Sequence, residues 1–320
     1  MLQKNEKTLI SFILLAYKQE NYIEDAVKGA LSQTYSPLEI ILSDDNSPDN
    51  TYNVMKRIVD EYDGPHRIIL NRNPENLGLV QHYNRVVFEL SHGDLLVIAA
   101  GDDISRPDRA LRSWEILSRN PELSCVSFAN NKFYADADPL DPPEQKEPEI
   151  VFFDRINYFN EPFFHISGAS RTIRRSAIVP FGPLNRLCPT EDSTGLLRCI
   201  LTGPVAESSE ALVHYRIHGN NLSSQNAISG LSPRRIFCQC RRDIRKAEEL
   251  GYISVNIAEV FKNKVNARLK RTLLFNMLHQ SSGLSHWWVL CLICLSGRVF
   301  TFGEKIQILR SNLFRKNSAK

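Results

Sequence analysis

The run Leu95-Leu96-Val97-Ile98-Ala99-Ala100-Gly101-Asp102-Asp103-Ile104 passes from six apolar residues straight into two adjacent carboxylates. Its apolar half has the length and continuity of a strand buried on both faces, and Ser105-Arg106-Pro107 predicts the start of a helix just beyond. Open α/β sheets hold their ligands outside the carboxyl ends of their strands, so two aspartates at such an end stand where a hard cation and a phosphate can meet. An Asx turn leading into a helix cap accounts for the same residues without any ligand.

Working outward, Thr8 to Leu15 is another nearly continuous apolar run, followed by the polar loop Ala16-Tyr17-Lys18-Gln19-Glu20-Asn21. Ile23, Ala26, Val27, Ala30 and Leu31 then recur at helical spacing. Pro37 opens a second strand, Leu38 to Ser43, which also ends in a carboxylate pair, Asp44-Asp45. A helix from Thr51 to Glu61, a strand at Arg67–Leu70, a loop at Asn73–Gly78 and a helix from Gly78 to Leu90 lead to the run quoted first. Helix Pro107–Ser118 and strand Leu123–Ala129 follow it. Unbroken alternation of strand and helix implies right-handed crossovers, hence an α/β fold with a doubly wound, mostly parallel sheet.

The remainder is less regular. Asp136 to Pro148 is acidic and proline-rich and reads as a mobile surface loop. A strand is expected at Ala169–Ile173, a helical run from Glu191-Asp192 through Ile200, and two short strands at Val205-Ala206 and Leu212–Ile217. After Ser229 come two helices dense in Arg and Lys, Ile236–Leu250 and Ile257–Leu278. The apolar stretch Ser285–Phe302, containing Trp287 and Trp288, and the amphipathic segment Glu304–Phe314 end the chain. The composition shift places a boundary near Ala227–Ser232, dividing the chain into 1–228 and a basic helical C-terminal region, 229–320.

Charge follows the same division. The net charge of +3 over 320 residues conceals a C-terminal region, from Leu231, with 17 Lys and Arg against 5 Asp and Glu. That bias suits an anionic partner surface. Nucleic acid is not expected, because no recognisable nucleic-acid module accompanies the basic helices. Seven cysteines without framework spacing indicate a reducing compartment, and neither Cys238-Gln-Cys240 nor Cys291-Leu-Ile-Cys294 has the second pair a zinc site needs. With no signal-peptide pattern and no apolar run near ~20 residues, a cytoplasmic or peripheral protein is expected.

Three groups of residues carry chemistry. The pairs Asp44-Asp45 and Asp102-Asp103 both close a strand, and such ends converge on one crevice in a doubly wound sheet. No Gly-x-Gly-x-x-Gly follows the first strand and no P-loop occurs, which argues against a dehydrogenase or P-loop phosphotransferase. A nucleotide bound without a glycine cradle needs a cation, and Mg²⁺ or Mn²⁺ takes carboxylate oxygens, Mn²⁺ also imidazole. Asp102 with a histidine from elsewhere meets that need. Glu191-Asp192 at a helix start serves equally as a cap or as a general base for an attacking hydroxyl. His214, Arg216 and His218 alternate on one face of a strand, as metal-binding and cationic groups or as a solvated face.

With these residues in view, 8–222 resembles the family 2 glycosyltransferases of the GT-A nucleotide-sugar class. Ala16-Tyr17-Lys18 with Glu20-Asn21-Tyr22-Ile23 is similar to the family's opening "PxYNxxxYL", and Ser32-Gln33-Thr34-Tyr35 followed by Glu39 to Thr51 to its "SQTYxxxEIIVDDGSxDxT". Asn76-Leu77-Gly78 matches an "NxG" turn, Ala100 to Ile104 stands at "DxDD", Thr190-Glu191-Asp192 at the acidic base motif, and Tyr215 to Ser223 at "YRxHGxNxS". The resemblance implies transfer of a sugar from a nucleoside diphosphate donor, UDP- or dTDP-linked, to a saccharide or lipid-linked acceptor with inversion, in bacterial surface-polysaccharide or glycolipid assembly. By the same resemblance Ala16, Tyr17, Glu20, Asp44, Asp45, Asn76, Gly101, Asp102 and Arg216 line the donor site. Asp102 and His218 hold Mg²⁺ or Mn²⁺, Asp192 is the base, and Glu191 orients it or touches the donor sugar. The chain departs from the pattern at Ala100, where the family has the first motif aspartate. That departure keeps open a nucleotide-sugar-binding protein without activity; a nucleotidyltransferase is the other alternative. The basic C-terminal helices suit an anionic membrane surface at the cytoplasmic face or a homo-oligomer contact.

Overall fold

The computed structural model describes residues 8–135, 137–140, 147–160, 166–219, 221, 231–280, 283–296 and 304–308. Its first strand, β1 (Ile10–Ala16), is paired in parallel with β2 (Leu38–Asp44) on one side and β4 (Leu95–Ala100) on the other, and β3 (Arg67–Arg72) extends the parallel sheet beyond β2. Alternation along β1 explains its unbroken hydrophobicity. Ile10, Phe12, Leu14 and Ala16 feed one core, and Ile13 the other.

The first core is closed by α1 (Ile23–Leu31), α2 (Thr51–Asp60) and α4 (Arg109–Arg119) through Ile23, Val27, Met55, Ile116 and Leu117. The second is closed by α3 (Leu79–Arg85), its π-helical continuation Val86–Leu90, and α6 (Asp192–Thr202) through Val80, Tyr83, Leu197 and Ile200. Helices therefore cover both faces of a largely parallel sheet, which is the doubly wound α/β arrangement the alternation predicts.

The second half completes the sheet with mixed pairing. The order is β3-β2-β1-β4-β8-β6-β9-β5, with β7 also against β9. Here β5 is Ile104–Ser105, β6 Cys125–Tyr134, β7 Ile150–Phe153, β8 Thr172–Arg174 and β9 Val205–Ile217. A short helix α5 (Arg155–Asn160) follows β7. β8 runs antiparallel between β4 and β6, while β6 and β9 run parallel to each other.

Several boundaries differ from the sequence reading, each for a tertiary reason. No helix begins at Pro107: Ile104-Ser105 pairs with Val213-His214 as β5, and α4 starts only at Arg109. The two short strands expected at 205–206 and 212–217 are one thirteen-residue strand, because the polar stretch between them is held by β6 and β7, with register shifts opposite Phe128–Asn130. For the same reason β6 continues five residues past Ala129. Part of the acidic stretch (136 and 141–146), most of the expected boundary (222–230), and residues 297–303 and 309–320 lie outside the described residues.

Three helices follow: α7 (Pro233–Glu249), α8 (Val255–Gln280) and α9 (Gly283–Leu295). Cys240, Ile244 and Ala247 of α7 and Ala258, Phe261 and Val265 of α8 share the core that covers α6. A buried ion pair joins them, since Arg198 on α6 donates from Nε and Nη2 to both carboxylate oxygens of Asp243 on α7, at 3.1 and 3.0 Å, with both side chains 1% exposed. Beyond it, α9 packs Val289, Leu290 and Ile293 against Leu274 and Leu278 in a separate small cluster. Among the described residues no helix is long and apolar enough to cross a membrane.

Removing one member of a buried pair strands the other charge in a dry interior, at a cost of about 3–5 kcal/mol. Asp243→Ala is expected to lose that much stability in urea denaturation, and the double substitution Arg198→Met with Asp243→Leu to recover most of it.

Candidate active site

β4 ends at Ala100, and the chain turns at Gly101, whose amide donates to Leu15 O on β1 at 3.0 Å. A Cβ at Gly101 would overlap the Gln19 amide and touch Ile23 and Ala16, so the loop after β1 presses directly on this turn. The two carboxylates beyond it part company. Asp103 turns inward, 5% exposed, and accepts the Arg216 amide at 3.0 Å. Burial, reinforced by the charge of Asp102, pushes its carboxyl up to about 8. Asp103 therefore supports the loop and caps no helix. Asp102 turns outward, where its Oδ2 lies 2.9 Å from His218 Nε2.

Alternation on β9 puts His214 and Arg216 on one face, and His218, just past the end of the strand, joins Arg216 there at the Tyr22 ring. The Phe133 ring touches His214 and Arg216, and the Tyr22 ring touches Arg216 and His218. Arg216 is 5% exposed, with its guanidinium carbon 5.0 Å from the Tyr22 ring and 4.6 Å from that of Phe133. It donates to Asp102 O at 3.1 Å and to Asp25 Oδ2 at 2.8 Å. Asp25 and Tyr22 on and before α1 thus complete a cluster that the sequence reading did not assemble. His218 is further fixed by its amide, which donates to Asn221 Oδ1 at 2.6 Å; Asn220, Leu222 and Ser223 of the same motif lie outside the described residues.

The strand ends of β1, β2 and β3 are tied into one wall. Lys18 and Asn46 both adopt left-handed backbone (φ 55° and 56°), and the Lys18 amide donates to Ser47 Oγ at 2.9 Å. Non-glycine residues in this region cost of order 1 kcal/mol and concentrate at functional loops. Tyr17 projects from this wall, 38% exposed, with the Lys18 ammonium 5.2 Å from its ring centre. Ala16 is buried beneath it, and its carbonyl accepts the Asp45 amide at 2.9 Å. Asp44 is fully buried, accepts the Ser47 amide and faces Arg72; burial raises its carboxyl above the usual range. Asp45 spends both oxygens on the loop 73–78, taking Asn73 Nδ2 and the amides of Leu77 and Gly78 at 2.8–2.9 Å. Glu20 accepts the Asn50 amide, and Asn76 the Gly78 amide; both are exposed at the rim.

Asp192 belongs to the other flank of β4. Its side chain is 36% exposed and forms an ion pair with buried Arg171 at 2.9 Å, while Arg171 Nη1 donates to its carbonyl at 3.0 Å. Arg171 is hung on the same strand end, because its carbonyl accepts the Ile98 amide at 3.1 Å. Buried Arg109 accompanies it, donating to Ile98 O, Ala169 O and Ser105 Oγ. Glu191 sits at the N-cap of α6 without capping it; its Oε2 is buried with no hydrogen-bond partner among the described residues. Burial and the neighbouring Asp192 charge raise its carboxyl to about 7. Neither Arg171 nor Arg109 carries any sequence signal, since arginine is ordinarily a surface residue.

A cation fits at Asp102 and His218. One carboxylate oxygen and one imidazole nitrogen suit Mn²⁺ and, less well, Mg²⁺. Among the described residues no cluster of three metal-ligating side chains forms, so such an ion would draw its other ligands from phosphate oxygens and water, as these cations commonly do.

Residues 11–179, more than half of the chain, match the family model described as glycosyl transferase family 2. The chain is 24% identical over 220 residues to an Escherichia coli protein named UDP-Glc:alpha-D-GlcNAc-diphosphoundecaprenol beta-1,3-glucosyltransferase WfaP, covering 68% of this chain and 80% of that one. Its fold is similar to that of Staphylococcus aureus TarS 1–349 solved with UDP-GlcNAc, with a TM-score of 0.62 at 14% identity over 88% of this chain and 79% of that one. It is also similar to the mannosyltransferase PcManGT of Pyrobaculum calidifontis, solved with GDP-Man and Mn²⁺, with a TM-score of 0.51 at 15% identity over 91% and 81% of the two chains.

Glu191 titrates near 4.5 when unfolded and near 7 when folded, so the native state binds the extra proton between these values. The resulting stabilisation is complete below the lower value and is lost as pH rises through about 7. The thermal midpoint of the native protein minus that of Glu191→Gln is expected to grow as pH falls from 8 to 5; a constant difference would contradict the burial of this carboxyl.

Proposed function

The chain belongs to glycosyl transferase family 2, and on that premise we propose that it is an inverting enzyme moving a sugar from a UDP- or dTDP-linked donor to an acceptor hydroxyl. The observation that carries this reading is the grouping at the β4 terminus: the Asp102–His218 pair on one flank and the partly exposed Asp192 side chain, its Oδ1 buried against Arg171, on the other. In this reading Tyr17 and the rim residues Glu20 and Asn76 face the nucleoside, over the wall shaped by Ala16, Asp44 and Asp45. Asp102 and His218 hold Mg²⁺ or Mn²⁺, and Gly101 lets the diphosphate approach the backbone. Arg216 adds positive charge from behind.

Asp192 takes the proton of the acceptor hydroxyl as its oxygen attacks the anomeric carbon. The bond to the diphosphate breaks on the opposite face and its electron pair leaves with the diphosphate. A cation held by Asp102 and His218 would supply charge neutralisation for that leaving group, so the chain need not supply a general acid. Glu191, buried beside the base, shapes its surroundings without reaching the acceptor.

The relative whose name specifies a diphosphoundecaprenol-linked acceptor supports a lipid-linked acceptor here. The C-terminal helices supply a matching surface. Trp288 and Leu295 of α9 are 68% and 81% exposed on a helix with no charged residue, in a region where basic residues outnumber acidic ones 17 to 5. An exposed Trp and Leu on an uncharged helix, in a stretch of sequence rich in basic residues, suit an anionic bilayer surface at the cytoplasmic face. The Trp287 side chain lies outside the described atoms.

A second reading, a nucleotide-sugar-binding protein without turnover, rests on Ala100 alone. Release of UDP or dTDP from a panel of nucleotide sugars separates the two, and UDP binding without hydrolysis or transfer from any donor would favour the second. Removal of a general base typically lowers rate by about 10²–10⁴. Asp192→Asn is therefore expected to lose that factor in kcat while binding UDP normally in calorimetry with Mn²⁺, and Asp102→Ala to lose both transfer and Mn²⁺-dependent binding. Full turnover by Asp192→Asn would remove the base assignment. The protein is also expected to float with phosphatidylglycerol liposomes at low salt and to be released by high salt; remaining in the soluble fraction at low salt would refute the membrane surface.

A further inference from the structure

Arg171 holds Asp192 by two handles at once. Its Nη1 donates to the Asp192 carbonyl at 3.0 Å, and its Nη2 lies 2.9 Å from the carboxylate Oδ1 and donates to Ile166 O at 2.7 Å. Arg171 is itself 3% exposed and anchored through its own carbonyl to β4. Asp192, in contrast, is open enough to meet an acceptor. The chain at Gly168 is pressed so closely on the same carboxylate that a Cβ there would overlap it, Oδ1 lying nearest. A guanidinium and bare backbone both packed on Oδ1 leave the carboxylate little freedom of rotation.

We propose that Arg171 and the Gly168 backbone are the positioning elements of the catalytic base, fixing the Asp192 carboxylate in the orientation that accepts the acceptor proton. The proposal rests on the reading of Asp192 as base. Arg171 is a positioning residue, since it reaches the reaction only through Asp192. Buried, planar and always charged, it fixes main chain and side chain of one residue together, which a lysine ammonium does less well.

Two substitutions separate charge from shape. Arg171→Met removes the grip at similar volume, while Gly168→Ala leaves the charge and displaces the carboxylate. A misplacement of about 1 Å at a reacting group costs roughly 10²-fold in rate. Each variant is expected to lose about that factor in kcat, with UDP affinity and donor KM within about twofold of the native values, and Arg171→Lys to recover part of the loss. Folded variants with native kcat, or with UDP affinity falling in step with kcat, would overturn the proposal. Should Arg171→Met fail to fold, Gly168→Ala decides, because full kcat in that folded variant overturns it equally. Asp192→Asn run alongside distinguishes the two levels. If it turns over normally, the base reading has failed and the proposal with it. If it is inactive while Gly168→Ala and Arg171→Met are native-like, only the positioning proposal has failed.

Discussion

A guanidinium has five N–H donors and cannot shed its charge, so burying one forces oxygens to gather around it. Among the described residues four are buried, Arg109, Arg171, Arg198 and Arg216, each at most 5% exposed. Arg109 collects carbonyls from β4 and from Ala169, fixing the turn that carries Asp102. Arg171 fixes Asp192, Arg216 ties Asp102 to α1 through Asp25, and Arg198 holds α7. The parallel sheet sets the strand ends side by side, and Arg109, Arg171 and Arg216 tie the chain around the β4 terminus into a defined shape. Asp102 and Asp192 are each held by an arginine that also bonds the main chain.

The parts of the fold legible from sequence are those whose local pattern and tertiary setting agree. β1, β2 and β4 read as buried strands because both faces meet helices, and α1 and α4 show their apolar stripes. β5 was invisible because two residues have no pattern of their own; they become a strand only by lying against Val213-His214. The middle of β9, Glu207 to Glu210, reads as a break because it is polar, yet Glu207 and Ser208 are paired on both sides and Ser209 and Glu210 form an irregularity that the strand continues past. In each case a hydrogen-bonding partner distant in sequence supplied what composition withheld.

The site divides in the same way. Asp102, Arg216 and His218 were legible as residue types at strand ends, and the structure brings them together. The two aspartate pairs proved unlike for a reason no spacing contains: Asp102 turns outward while its neighbour is consumed by the loop, whereas Asp44 and Asp45 are both buried. Asp45 takes three donors from residues 73–78, and Asp103 takes the Arg216 amide. Arg171 was one of three arginines within five residues, and only the packing of β8 against β4 turned it, and not Arg174 or Arg175, toward Asp192.

The Arg198–Asp243 bond also constrains how this chain can change over generations. Because each charge is tolerable in the interior only beside the other, a substitution at one position leaves a defect that is cured by a substitution at the other. A descendant that shed α7 would inherit a naked guanidinium inside its core, and would have to exchange Arg198 for an apolar residue first. The order of events is therefore dictated by electrostatics. The C-terminal helices can drift in surface, but α7 stays bound to α6 for as long as that pair is kept.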